Sequence, residues 1–306
     1  MPERSTSSVS AETPSAPPTG SLRPLSVHLL GPVDPLVAAR AVAAREAAQK
    51  IPRVLADLAA SRSVGRSLRL TDHDVRTALS SSAGRSPSTP FAWSARTARR
   101  GLGLATVRSL VAGEARTPTE GARQAITGAI RSVREGSRAS SAMDRWLAGL
   151  PGPGLAVVQA EAVTWATRLW SALDWSAFGP APVIGRDRWW NSPHSSLLAV
   201  RSRAEVRSVV VDRDENPFSV HLVVLGGSRR PSVRAELSVV AMVEAVQAPR
   251  SLPPGRIVGW WPDSGHTVTV EVDRAALDVG VEAVAHTLAS AVATPAGSEG
   301  ATRAAA

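Results

Sequence analysis

Apolar residues recur at helical spacing through residues 25–150 and predict a series of amphipathic helices there. In residues 94–112 the apolar stripe consists of Leu102, Leu104, Val107 and Leu110. An alanine-rich helix is predicted for residues 34–60, with Asp34 as its N-cap. A break is expected at Pro52, because proline removes a backbone hydrogen bond from a helix interior.

Short polar motifs mark the start of two further helices. Thr71 is followed three residues later by Asp74, which is the spacing of a capping box. Thr117, Pro118 and Glu120 form a second start signal, because proline is tolerated in the first turn of a helix. The N-terminal half of the chain is therefore expected to be helical.

The run Pro151-Gly152-Pro153-Gly154 follows a short predicted helix at residues 141–150 and predicts a break in the chain. A long helix is predicted beyond it at residues 155–173. The predicted strands are residues 183–190, 197–211, 218–225, 256–261 and 267–272, and the last two predicted helices are residues 233–248 and 273–291.

This order predicts an α+β fold, with a helical N-terminal part followed by an αβββαβ-type mixed sheet flanked by helices. Strand and helix do not alternate regularly, so a doubly wound fold is not expected. The expected organisation has four parts: a disordered tail at residues 1–24, a helical region at 25–150, an α/β module at 151–292 and a disordered tail at 293–306.

The chain carries 35 Lys and Arg residues and 26 Asp and Glu residues, for a net charge of +9. Lys50 is the only lysine, so residues 51–306 hold no ammonium side chain. Arginine binds phosphate through a planar fork, but it does not release its proton and substitutes poorly for a catalytic lysine. The charge favours a nucleic-acid partner. The alternative is a solvated basic surface that reflects a GC-rich genome.

The absence of cysteine excludes disulfides, thiol nucleophiles and metal sites with cysteine ligands. No apolar stretch reaches the length of about 18 residues that indicates a membrane span, and residues 1–20 lack the apolar run of a signal peptide. The sequence therefore predicts a cytoplasmic protein without a membrane partner.

From residue 155 onward the order of elements is helix, three strands, helix and strand. Residues 201–207 (Arg-Ser-Arg-Ala-Glu-Val-Arg) are similar to a strand with a Gly-Arg-x-Asp pattern, and residues 220–225 lie where an Asp-Tyr-Lys-Thr-Gly strand would follow. The helix beginning at residues 234–237 lies where a Gln-led helix would follow. This part of the chain resembles the PD-(D/E)XK nuclease core, most closely the C-terminal nuclease module of RecB-type and AddB-type exonucleases.

The resemblance implies phosphodiester chemistry in which carboxylates hold a divalent metal and a lysine positions the attacking water. Glu205 matches the first acidic position, and Glu161 on the preceding helix is the second candidate catalytic carboxylate. An active enzyme would hold Mg²⁺ or Mn²⁺ at Glu205. The second acidic position and the lysine have no match, because residues 224–227 are Val-Leu-Gly-Gly. The module is therefore expected to be catalytically degenerate and to need no cofactor.

Glu205 also has a purely structural interpretation. A partly buried glutamate on a strand can be held in an ion pair with Arg203, with Arg207 or with an arginine of a neighbouring strand. In that case its carboxylate stabilises the fold and binds no metal.

Arginines and tryptophans of the second half are the candidate nucleic-acid contacts. Arginine binds backbone phosphates, and an exposed tryptophan can stack on a base. The candidates are Arg186, Arg188, Trp189, Trp190, Arg203, Arg207, Arg229 and Arg230. Packing in the core is the favoured alternative for the tryptophan pairs at 189–190 and 260–261. In the helical half, a further phosphate track is possible at Arg96, Arg99 and Arg100, which share one helix face.

The sequence thus favours a nucleic-acid-binding protein, with DNA as the expected ligand, and the resemblance points to DNA repair or recombination. One alternative is an active metal-dependent nuclease. Another is a non-enzymatic scaffold whose tryptophan-rich strands contact a protein partner.

Overall fold

The computed structural model describes residues 23–31, 36–62, 67–80, 92–178, 182–185, 187–194, 197–212 and 214–292. The helices are α1 (Pro24–Leu30), α2 (Val37–Ala47), α3 (Ile51–Arg62), α4 (Asp72–Ser80), α5 (Ala95–Val111), α6 (Pro118–Arg134), α7 (Ala142–Ala148), α8 (Gly152–Ala172), α9 (Val233–Gln247) and α10 (Arg274–Val292). The strands are β1 (Leu68–Leu70), β2 (Val183–Ile184), β3 (Arg188–Asn191), β4 (Leu198–Ser202), β5 (Val206–Val211), β6 (Pro217–Val224), β7 (Pro254–Trp260) and β8 (Thr267–Glu271).

The strands form two mixed sheets. The larger has the order β2-β5-β6-β7-β8, in which β6 and β7 are parallel and every other neighbouring pair is antiparallel. Helix α9 makes the crossover that the parallel pair requires. The smaller sheet has the order β1-β4-β3, with β1 parallel to β4. The expected fold class is confirmed, since a helical N-terminal part precedes mixed sheets flanked by helices.

Two predicted strands each divide between the two sheets. The segment 183–190 becomes β2 and β3, separated by a turn at Gly185, whose φ of +65° favours glycine. The segment 197–211 becomes β4 and β5, and the chain changes sheets at residues 203–205. Ala204 and Glu205 are buried at this crossover, so the break does not show as an exposed polar turn in the sequence.

Proline positions account for the differences in helix boundaries. The predicted break at Pro52 is wrong by a few residues: a 3₁₀ turn at residues 48–50 separates α2 from α3, and Pro52 lies in the first turn of α3. The predicted break at residues 151–154 is displaced in the same way: α7 ends at Ala148, and α8 begins at Gly152, not at residue 155, with Pro153 in its first turn. A proline costs no helical hydrogen bond in that turn. Asp34 lies outside the described residues.

The two predicted start signals are confirmed. The backbone N–H of Thr71 donates to Asp74 Oδ2 at 2.8 Å, and the N–H of Asp74 donates back to Thr71 Oγ1 at 3.3 Å. Thr117 Oγ1 accepts from the N–H of Glu120 at 3.2 Å. These bonds satisfy donors at the helix ends that would otherwise lack a partner.

Helices cover both faces of the larger sheet, and β6 shows the division. Val220, Leu222 and Val224 pack towards α1, α5 and α8, while Val223 and Leu225 pack towards α9 and α10. A third core lies among α5, α6, α7 and α8. Helices from both sides of the expected boundary at residue 150 share these cores, so that position does not separate two cores. Within the described ranges, no helix combines the length and the apolar character of a membrane span.

A substitution at Gly280 tests how closely α10 packs against α9. A Cβ at this position would lie 2.5 Å from the carbonyl oxygen of Ser238 and 3.0 Å from the Cβ of Met242, and backbone cannot move aside cheaply. We expect Gly280→Ala to lower the free energy of unfolding by about 2 kcal/mol, measured by urea denaturation. The matched control is Gly128→Ala on α6, where a Cβ meets nothing within 4 Å and where we expect a gain of about 0.5–1 kcal/mol. Equal effects of the two changes would contradict this account of the packing.

Candidate functional site: an ion-pair ring around Glu205

The crossover between the two sheets fixes the position of Glu205. Its backbone N–H donates to the carbonyl of Leu222 at 2.7 Å, and its carbonyl accepts from the N–H of Gly185 at 2.8 Å. Backbone bonds therefore hold the residue between β2 and β6, immediately before β5. The side chain reaches the end of β6, where the N–H of Val224 donates to Glu205 Oε2 at 2.7 Å.

The carboxylate of Glu205 is fully buried and is surrounded by donors. Its Oε1 accepts from Arg100 Nε at 2.6 Å and from Arg203 Nε at 3.0 Å. The structural interpretation of Glu205 as a member of an ion pair is therefore confirmed for Arg203. Arg207 pairs elsewhere, and Arg100 from α5 was not anticipated as a partner, because 105 residues separate it from Glu205.

Burial by itself raises the pKa of Glu205, because it disfavours the charged form. The guanidiniums of Arg100 and Arg203 and the N–H of Val224 outweigh burial, so this pKa lies below its ordinary value. Burial likewise lowers the pKa of Arg100, but Glu205 and Asp187 raise it further than burial lowers it. Both groups are charged at neutral pH.

Six side chains of alternating charge form a closed ring, which we call the ion-pair ring. Arg100 links Glu205 to Asp187 at 3.1 Å, and Arg203 links Glu205 to Asp72 at 3.1 Å. Arg201 closes the ring between Asp187, at 3.8 Å, and Asp72. The members are Asp72, Arg100, Asp187, Arg201, Arg203 and Glu205.

The ring joins segments that are far apart in the sequence. Asp72 opens α4, Arg100 comes from α5, Asp187 precedes β3 and Arg201 lies on β4. Burial raises the pKa of Asp72, but Arg203, Arg201 and Arg100 lower it further, so the result is well below the ordinary value. Three arginines balance three acids, and the ring is electrically neutral.

Glu161 does not belong to the ring. It lies on α8 with 42 % of its side chain exposed and pairs with Arg99 at 3.4 Å. Glu161 and Glu205 therefore lie in separate salt bridges and do not form one ligand set for a metal. In the part of the chain that the structure describes, no group of three or more His, Asp or Glu side chains is arranged to hold a metal ion.

A small cleft opens beside the ring at the end of β6. Its polar lining consists of Asp72, Arg76, Arg203, Arg230 and Glu236, and its apolar lining includes Val223, Val224 and Leu225. This is the stretch where the resemblance places the second acid and the lysine. Arg230 binds Glu236 through both carboxylate oxygens, at 2.6 and 2.5 Å. Most charges in the cleft are therefore satisfied within the protein.

A second buried cluster surrounds Glu244 of α9, which is 1 % exposed. Its Oε1 accepts from Ser202 Oγ at 2.5 Å and from Arg207 at 2.7 Å, and its Oε2 accepts from Arg188 at 3.2 Å. His221 Nδ1 lies 3.7 Å from Oε2, and His221 Nε2 lies 2.8 Å from Ser219 Oγ. Burial raises the pKa of Glu244, but His221, Arg207 and Ser202 lower it to about 2.

Burial also dominates the behaviour of His221. It lowers the pKa of the imidazole to about 4, with help from Arg207 and Arg188 and against the attraction of Glu244. His221 is therefore neutral at neutral pH. Both carboxylate oxygens of Glu244 accept hydrogen bonds, whereas the buried Nδ1 of His221 has no hydrogen-bond partner among the described residues.

Several arginines that the sequence assigns to phosphate contacts are engaged with carboxylates. Arg188 and Arg207 bind Glu244, Arg203 belongs to the ion-pair ring, and Arg230 binds Glu236. Arg229 lies at the surface, 3.5 Å from His266. Arg186 lies outside the described residues.

The tryptophans of the strands lie mainly in the core. Trp190 is 5 % exposed, and Trp260 and Trp261 are 6 % and 4 % exposed, so core packing is confirmed for these three. Trp189 is half-buried, with the guanidinium of Arg69 at 4.5 Å and that of Arg201 at 5.8 Å from its ring centre. Trp190 thus offers no open ring face to a base, and Trp189 already has cation–π partners.

Comparison with protein-family models finds no match for this chain, and comparison with curated proteins finds none either. The resemblance to the PD-(D/E)XK family therefore stays an argument from residues and the order of elements.

Removal of the Glu205 carboxylate tests the importance of the ring. Glu205→Ala leaves Arg100 and Arg203 without their buried partner, and we expect a loss of about 3 kcal/mol in the free energy of unfolding. The control is Glu161→Ala, which breaks one exposed pair and should cost less than about 1 kcal/mol. Chemical denaturation measures both, and a cost for Glu205→Ala no larger than the control would show that the ring is not a main stabilising feature.

The pH dependence of stability follows from the lowered pKa values. An unfolded histidine titrates near 6.5, whereas folded His221 titrates at about 4, so the unfolded state binds the extra proton between these values. We expect stability to fall as the pH drops through this window. It should fall further below about 4.5, because the unfolded state then protonates Glu244, Glu205 and Asp72 while their lowered pKa values keep them charged in the folded state. Denaturation midpoints from pH 7 to 3 measure this, and His221→Gln should flatten only the upper window. A wild-type midpoint that does not change between pH 6.5 and 4 would contradict the assignment.

Proposed function

We propose that this protein binds nucleic acid, with DNA as its ligand, through exposed arginines of α5, α6 and α7, and that it does not cleave what it binds. The proposal places the protein in the cytoplasm, where it would act on DNA in repair or recombination.

The carrying observation is the concentration of positive charge in residues 92–150. This stretch contains ten arginines and four acidic residues, an excess of six positive charges out of the net +9 of the whole chain. Eight of the ten arginines are exposed: Arg96, Arg108, Arg116, Arg123, Arg131, Arg134, Arg138 and Arg145. A local excess of this size attracts polyanions and speeds their association.

These exposed arginines differ from those of the sheets in being unpaired. None of the eight lies within ion-pair distance of a carboxylate among the described residues, whereas Arg100, Arg203, Arg207 and Arg230 are all paired. A guanidinium without a carboxylate partner can bind a phosphate without first breaking an ion pair. Within the described part of the chain, Arg145 donates only to the carbonyl oxygen of Ser140, at 3.1 Å. The α5–α7 helices therefore support phosphate binding better than the arginines of β3, β4 and β5.

The nuclease-like site supports binding without cleavage. Helix α8 followed by β2, β5, β6, α9 and β7 has the order that underlies the resemblance, with β3 and β4 inserted. Glu205 stands at the start of β5, but both of its carboxylate oxygens already accept hydrogen bonds. A metal there would have to displace Arg100 or Arg203. This arrangement favours the degenerate module over an active Mg²⁺- or Mn²⁺-dependent nuclease.

Fluorescence anisotropy with labelled single-stranded and duplex DNA tests the proposal. We expect a dissociation constant in the range of about 1–100 μM at physiological salt for sequence-independent binding, tightening steeply as the salt is lowered. A variant with Arg134, Arg138 and Arg145 changed to Gln should bind about tenfold more weakly or worse, because three phosphate partners are lost.

The control changes Arg53, Arg234 and Arg250 to Gln. These three arginines are also exposed but lie outside α5–α7, so the same charge is removed from a different surface. We expect its affinity to stay within about twofold of wild type. No binding of either DNA by the wild-type chain in low salt would overturn the proposal and favour the scaffold alternative. Cleavage of the DNA with Mg²⁺ or Mn²⁺, abolished by Glu205→Ala, would favour the nuclease.

A further inference from the structure

We propose that Arg123 and Arg131 form a clamp for the phosphodiester backbone over Gly128, on the exposed face of α6. The proposal rests on the proposed function and specifies which residues hold the ligand and which part of the ligand they hold. Together with Gln124 and Thr127, these residues line a shallow notch on a single helix face.

The spacing of these residues along α6 creates the notch. Positions 123, 127 and 131 are four residues apart and therefore lie along one side of the helix. Gly128 lies between the two arginines, and a Cβ built on it meets nothing within 4 Å. Glycine in a helix interior costs about 0.5–1 kcal/mol relative to alanine. No close packing requires glycine at position 128. Its effect is to leave the helix surface between the two guanidiniums open.

The charge of the notch is not neutralised by the described part of the protein. Arg123 and Arg131 are exposed and have no carboxylate within ion-pair distance there. Glu120 precedes Arg123 by one turn, but its carboxylate accepts from the N–H of Arg116 at 2.9 Å and from Gln124 at 3.4 Å. That carboxylate is engaged at the N-terminal end of α6, so both arginine forks remain available for an anion.

The chemistry of the lining selects a phosphate backbone. A guanidinium binds a phosphate through two parallel hydrogen bonds, and the exposed hydroxyl of Thr127 is a further donor of the kind that contacts phosphates. Eight residues of helix separate the arginines by about 12 Å, which is several times the axial spacing of about 3.4 Å between neighbouring phosphates of one strand, so the two guanidiniums bind different phosphates. The five lining residues include no aromatic ring on which a base could stack. The clamp should therefore bind DNA without reading its sequence.

The test measures duplex affinity against salt concentration for the full chain. We expect Arg123→Gln with Arg131→Gln to weaken binding at least about tenfold and to reduce the slope of log K against log salt by about 1.8, since each lost phosphate contact contributes about 0.9. The control with Arg53→Gln and Arg234→Gln removes the same charge elsewhere and should keep the wild-type slope.

Gly128→Leu fills the notch without changing charge. We expect it to weaken binding about fivefold, while the melting temperature stays the same or rises, because leucine favours helix more than glycine does. Gly128→Ala leaves most of the notch open and should bind almost as tightly as wild type.

The outcomes separate two kinds of failure. If the wild-type chain binds DNA and the arginine double variant keeps both affinity and slope, the clamp is overturned while the proposed function stands. If Gly128→Leu binds as tightly as wild type, the seating of the backbone over Gly128 is overturned. If the wild-type chain binds no DNA but binds an acidic protein or heparin, the proposed function fails, and the clamp for nucleic acid fails with it.

Discussion

An ionised carboxylate without any contact to water is costly unless hydrogen bonds and opposite charges replace its hydration. Glu205 meets that condition through two guanidiniums and one backbone N–H. These bonds stabilise more than one element because Glu205 lies at the crossover. Its carboxylate connects α5 to the point where the chain passes from the smaller sheet to the larger one. Through Asp72 and Asp187 the constraint extends to the start of α4 and to the strand pair of the smaller sheet.

The same constraint limits the chemistry of the part of the chain for which the sequence predicts a resemblance to a nuclease core. A carboxylate that accepts from Arg100 and Arg203 cannot also coordinate a metal unless these bonds are broken. The neighbouring residues 224–227 supply no acid and no lysine. Arg100 and Arg203 place permanent positive charge beside Glu205, in the position of the metal ion that the resemblance implies. The charges of the ring stabilise the fold, whereas the exposed arginines without a carboxylate partner lie elsewhere on α5–α7.

Local pattern was sufficient to predict much of the fold. Helix starts at Thr71 and Thr117 depend on contacts three residues apart, and these were predicted correctly. The crossover at residues 203–205 could not be found in this way, because Ala204 is buried and continues the apolar run of β4 and β5. The separation of β3 from β2 likewise depends on pairing with a strand distant in sequence.

The candidate site shows the same limit. The sequence suggested Arg203 as an ion-pair partner of Glu205, because the two residues lie close together in the chain. Arg100, which lies 105 residues away, gave no local signal. Free phosphate-binding arginines were expected on the strands, but Arg188 and Arg207 are engaged by Glu244, which lies far along the chain. The phosphate track expected on one helix face is reduced in the same way, since Arg99 pairs with Glu161 and Arg100 pairs with Glu205.

The central claim is that nucleic acid contacts the α5–α7 helices and not the cleft beside Glu205. Ultraviolet cross-linking of the full chain to duplex DNA, with the cross-linked peptides identified by mass spectrometry, tests it most directly. The account predicts cross-links concentrated in residues 95–148. Cross-links concentrated at residues 188–190 and 229–230, around the cleft and the smaller sheet, would contradict it.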